Sequence, residues 1–114
     1  MRALSIQVQP IRAPGIVMDG IVREFQAIAE MNDLVSHHAF NDGHESVRFF
    51  NFTFGTTDAK ALWAVVQHRL YNDDRFAGWM KQASMAMCSS EQGWDDYVLL
   101  FHFDPAVKVD GQIG

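Results

Sequence analysis

With 114 residues, 48 % of them hydrophobic and 20 % charged, the chain suits one domain with its own core and is too short for two of ordinary size. Nine Lys and Arg against fourteen Asp and Glu give a net charge of −5, the opposite of the basic footprint that nucleic-acid binding requires. The one cysteine, Cys88, excludes an internal disulfide and a four-cysteine zinc site.

No signal-peptide pattern develops after Met1, and no run approaches the ~20 apolar residues that span a bilayer. A cytoplasmic protein without membrane contact is expected. Residues 3–9 alternate, with Leu4, Ile6 and Val8 on one side and Ser5, Gln7 and Gln9 on the other, as in a half-buried strand. Over residues 17–33 the apolar positions Met18, Ile21, Val22, Phe25, Ile28 and Ala29 recur at three- and four-residue spacing, which predicts an amphipathic helix.

A weaker strand follows at 35–40. Asn41-Asp42-Gly43-His44 then reads as a tight hairpin turn built on Asp-Gly. That turn would set His38 across from Val47 and His37 across from Arg48. The next strand, 47–54, puts Phe50, Phe52 and Phe54 on one face and Val47, Phe49, Asn51 and Thr53 on the other. Gly55-Thr56-Thr57-Asp58 supplies hydroxyl and carboxylate caps for a second helix over 58–71, with Ala59, Leu62, Val65, Val66 and Leu70 facing inward. Phe76, Trp79 and Met80 mark a short third helix. Strands at 83–89 and 95–103 close the domain, the last with Tyr97, Leu99, Phe101 and Phe103 alternating against Val98, Leu100 and His102. Residues 106–114 read as a frayed tail.

This order predicts a single α+β domain over 1–114: a ferredoxin-like split βαβ sandwich, two helices on one face of a mostly antiparallel sheet, with an extra C-terminal hairpin. Helices on one face leave the other sheet face open. His38, Phe49, Asn51, Val98, Leu100 and His102 are expected there, a mixed surface suited to a homodimer contact, a small molecule or modest acid/base chemistry.

Candidate chemistry is sparse. His37, His38, His44, Asp42 and Glu45 cluster in the sequence, but adjacent strand residues diverge, which allows two-ligand groupings at best, so neither a metal nor another cofactor is expected. Cys88 has His102 as a neighbouring-strand base but no cation to activate it. Arg12, between the first strand and first helix, and Asn51 on a strand resemble in placement the loop arginine and strand asparagine of small acylphosphatases. That family shares this general strand order, but its glycine- and valine-rich cradle has no counterpart here. The resemblance implies anion binding at Arg12.

The segment Glu91-Gln92-Gly93-Trp94-Asp95-Asp96-Tyr97 is the most informative. From Gln82 to Val107 there is no Lys or Arg, while Glu91, Asp95, Asp96 and Asp104 concentrate most of the net charge there. Trp94 and Tyr97 are suitable interface anchors, and carboxylates beside them attract an arginine- or lysine-rich surface. With no catalytic motif in view, the expectation is an acidic binding module for a basic protein partner. Its most concrete form is an inhibitor or immunity-type protein that covers the cationic site of a nuclease toxin.

Overall fold

Alternating apolar residues at positions 4, 6 and 8 make one face of a strand apolar, and two flanking strands widen it into an apolar sheet face. The computed structural model describes residues 1–113. Strands β1 (Arg2–Val8), β2 (His37–His44), β3 (Arg48–Thr56), β4 (Ser84–Ser90) and β5 (Gly93–His102) form one antiparallel sheet in the order β2-β3-β1-β4-β5. Leu4, Ile6 and Val8 lie opposite Phe54, Phe52 and Phe50 on one side and Cys88, Ala86 and Ser84 on the other. These residues therefore share one face.

The three α-helices among the described residues cover that face. Helix α1 (Met18–Ala29) buries Ile21, Phe25 and Ile28, and Phe25 stacks on Phe52 with ring centroids 4.1 Å apart. Each such apolar side chain removed from water contributes about 1.5–3 kcal/mol. Helix α2 (Ala59–Val66) begins where Asp58 accepts a hydrogen bond from the Ala61 N–H at 3.1 Å, and it continues into a π-helical turn over Gln67–Tyr71. Helix α3 (Ala77–Ala83) adds Met80 and Ala83 to the same core. The result is an α+β domain with three helices on one face of a five-stranded open sheet.

The β2–β3 hairpin corrects the predicted register. Asp42-Gly43 is not the turn: β2 runs through to His44, the chain reverses over residues 45–47, and His38 pairs with Phe54 rather than Val47. Two packing demands explain the choice. This register sets Phe40 opposite Phe52, with edge-to-face contacts to Phe52 and Phe54, whereas the predicted turn would have put Phe40 on the open face. It also lays the Phe49 ring across Gly43, where a Cβ would come within 2.6 Å of ring carbon, and the His37 ring across Gly55. Gly43 is thus a seat for an aromatic ring, not a turn residue. His38, Phe40, Asp42 and His44 consequently share the helix-covered side, and His37 lies on the other.

Strand β5 departs from simple alternation twice. Leu100 is an extra residue between the pairs Leu99–Met87 and Phe101–Ala86. Four residues, Trp94 to Tyr97, stand opposite the one residue Ser89 between the pairs Gly93–Ser90 and Val98–Cys88. Val98 and Leu100 therefore pack into the core rather than lying on the open face, while Leu99 and His102 take the open side opposite Met87 and Met85.

Within 106–113 the chain is tied back to β5. The Asp110 N–H donates to the Leu99 carbonyl at 2.8 Å, the Asp110 carboxylate accepts from the Leu99 N–H at 2.8 Å, and Ile113 is only 6 % exposed. These bonds occupy the outward-facing backbone groups of an edge strand, which otherwise invite pairing with another chain. None of the described helices is long and apolar enough to cross a membrane.

Candidate functional site

The first place of interest is the β4–β5 hairpin. A bulge re-aims side chains away from the sheet, and here the excursion opposite Ser89 leaves each of Trp94, Asp95, Asp96 and Tyr97 exposed. Trp94 is 44 % exposed and Tyr97 50 %. Both acids are also exposed and make no ion pair within 4.0 Å among the described residues. Glu91 is drawn out of the group. Its carboxylate accepts from the Met1 ammonium at 2.8 Å and lies 3.6 Å from Arg2 Nε, and these two cations hold its pKa below the ordinary carboxylate range. The five predicted residues are thus all exposed, and Glu91 is tied to Met1 and Arg2 at the start of the chain.

Trp94 has a second role in shape. It borders a groove of about 360 Å³ that it shares with Ala3, His37, Gly55 and Ser89 at one end of the open sheet face. The acidic, aromatic hairpin is therefore continuous with that face.

The second place lies at the opposite end of the same face, and it is polar rather than greasy. Ser5 and Thr53 share a hydrogen bond at 3.0 Å. Beside them runs a ladder of amides across three strands: Gln9 Nε2 donates to Gln7 Oε1 at 2.8 Å, Gln7 Nε2 to Asn51 Oδ1 at 3.0 Å, and Asn51 Nδ2 to Asn41 Oδ1 at 3.2 Å. Arg12 Nε opens the ladder by donating to Gln9 Oε1, and its guanidinium lies 3.8 Å from the centre of the Phe103 ring. Of the open-face residues expected from sequence, Phe49, Asn51 and His102 are there. His38 sits on the helix side against Phe40, with ring centroids 4.9 Å apart, and Val98 and Leu100 belong to the core.

This geometry bears on two chemical readings. Cys88 and His102 project to opposite faces of the sheet, so they form no nucleophile–base pair. Burial also pushes the Cys88 thiol up, which keeps it protonated and unreactive. Arg12 and Asn51, paired by the acylphosphatase resemblance, share no direct hydrogen bond: Gln9 and Gln7 stand between them in the ladder, and all four line one cleft. No group of three or more His, Cys, Asp or Glu side chains is arranged to hold a metal ion among the described residues.

Sequence reasoning passed over Gln7 and Gln9 as an ordinary solvent face. The available signal was amide side chains at alternate positions of a strand, which only a facing amide such as Asn51 turns into a ladder. Scans against protein-family models, curated proteins and solved structures find no match to the chain.

Proposed function

We propose that this protein is an acidic binding module whose β4–β5 bulge docks on a basic protein surface. The observation that carries the reading is the bulge itself: four consecutive residues opposite one, presenting an indole, a phenol and two unpaired carboxylates from a sheet edge. Trp and Tyr bury large rigid surfaces at low entropic cost, and acids around them steer a cationic partner. An inhibitor or immunity-type protein that covers the cationic site of an enzyme such as a nuclease is the most concrete form of this function. We also propose that the scaffold is ferredoxin-like with one added strand. The order β2-β3-β1-β4, with helices following β1 and β3, supports that topology, although such a fold by itself carries no function.

Capture from the native host at low salt tests the reading, with the wild-type protein and the Trp94→Ala/Tyr97→Ala variant as parallel baits. The expected result is a basic protein held by the wild type, released by salt and lost from the variant. An acidic partner, or one that the variant retains, refutes it. Both side chains are half exposed, so the variant keeps its fold and the comparison is direct.

A further inference from the structure

Hydrogen-bond polarity in the amide ladder points to a small-molecule site independent of the hairpin. An arginine side chain has donors and no acceptor. Since Arg12 Nε faces the Gln9 amide, the oxygen of Gln9 must be turned toward it, and this choice propagates. Gln9 then offers its NH₂ to Gln7, which must present oxygen, and the same logic passes to Asn51 and Asn41. One obligate donor thereby sets the orientation of four amides.

The consequence lies in what remains unused. Each amide oxygen from Gln9 to Asn51 accepts within the ladder, and each NH₂ spends only one of its two hydrogens there. The Arg12 guanidinium spends one of five, and no carboxylate lies within 4.0 Å of it among the described residues. Arg12, Gln9, Gln7 and Asn51 all line one cleft of about 480 Å³, a size usual for small-molecule sites. Its polar wall is thus rich in unspent donors, and it calls for a ligand rich in acceptors. Val47 and Phe49 form an apolar wall of the same cleft. Glu45 also lines it, and its charge opposes a multiply charged anion.

We propose that this cleft binds a small organic monocarboxylate, its anion against the Arg12 guanidinium and the free amide N–H groups, its apolar body against Phe49 and Val47. A planar carboxylate matches the guanidinium fork, and charge-assisted bonds of this kind are the strong ones. Inorganic phosphate lacks the apolar body and carries more charge toward Glu45, so it binds more weakly.

Titration of the ¹⁵N-labelled protein, read at the side-chain NH₂ signals of Gln7, Gln9 and Asn51 and at Arg12 Nε, tests the assignment. Phenylacetate is the probe, with phenethylammonium as the cation of similar shape and inorganic phosphate as the bare anion. Saturable shifts with phenylacetate, none with phenethylammonium and affinity about tenfold weaker for phosphate are expected. Arg12→Gln should weaken phenylacetate binding by about tenfold or more. Arg12 is solvent-exposed, and an unchanged backbone spectrum establishes that the variant is folded. Shifts that never saturate, an equal response to phenethylammonium or phosphate, or undiminished binding in Arg12→Gln overturn the proposal. Asn51→Ala serves as the second variant, and undiminished affinity there likewise counts against a ladder-built site.

Discussion

Tyr71 offers a sharp test of how the core is held, because its hydroxyl sits in a directed two-bond chain with no access to water. The side chain is 4 % exposed, packed edge-on to Trp63 and against Phe101, and its hydroxyl lies 2.6 Å from Ser84 Oγ. Ser84 gives its one hydroxyl hydrogen to the Met80 carbonyl at 2.6 Å, so the phenol must be the donor to Ser84. Tyr71→Phe removes that donor and leaves Ser84 bonded to Met80, a loss of about 1 kcal/mol. Ser84→Ala is worse. It strands a buried phenol hydroxyl with no acceptor, for a loss of roughly 2–3 kcal/mol, while the Met80 carbonyl keeps the Ser84 backbone N–H. With both changes the stranded donor is gone, so the double variant should be more stable than the sum of the singles predicts, by about 1 kcal/mol or more. Urea denaturation with an unchanged slope measures all three, and each 1 kcal/mol corresponds to roughly 4 °C in thermal midpoint for a domain of this size. A Ser84→Ala variant no less stable than Tyr71→Phe, or strict additivity, refutes the directed chain.

Three further outcomes follow from the same structure. Phe52→Ala, which empties a site between Phe25 and Phe40, should cost about 3–5 kcal/mol, whereas Phe101→Ala on the partly exposed β5 should cost less, as denaturation midpoints will show. Burial raises both the Cys88 thiol and the Tyr71 phenol, so the unfolded chain releases these protons first. Stability should therefore fall as pH rises past about 8.5, the ordinary thiol value, and again past about 10. Tyr71→Phe should abolish the second decline, and alkylation of Cys88 should wait on unfolding. In the partner complex, Asp95→Asn/Asp96→Asn should slow association and flatten its salt dependence, while Trp94→Ala should lose ~2 kcal/mol or more chiefly through faster dissociation; surface plasmon resonance separates the two.

Much of the architecture was legible in local patterns. The apolar spacing Ile21, Phe25, Ile28 repeats within one helix, and Leu4, Ile6 and Val8 alternate within one strand, so neither needs a distant partner to be recognised. The exposure of Trp94, Asp95, Asp96 and Tyr97 agrees with a polar hairpin segment rich in acids. What local pattern could not decide is register, because a strand's period of two is the same in every register of opposite strands, and an odd shift moves each side chain to the other face. Asp42-Gly43 carries the strongest short-range turn signal in the chain, yet the burial of Phe40 and the seating of Phe49 on Gly43 prevail over it and carry His38 to the helix side. The two irregularities of β5 likewise reverse the assignment of Val98 and Leu100, since each inserted residue shifts the alternation that follows. The amide ladder lies furthest from view: Arg12, Gln9, Gln7, Asn51 and Asn41 come from a turn and three strands, and only the folded sheet brings their hydrogen bonds into one line.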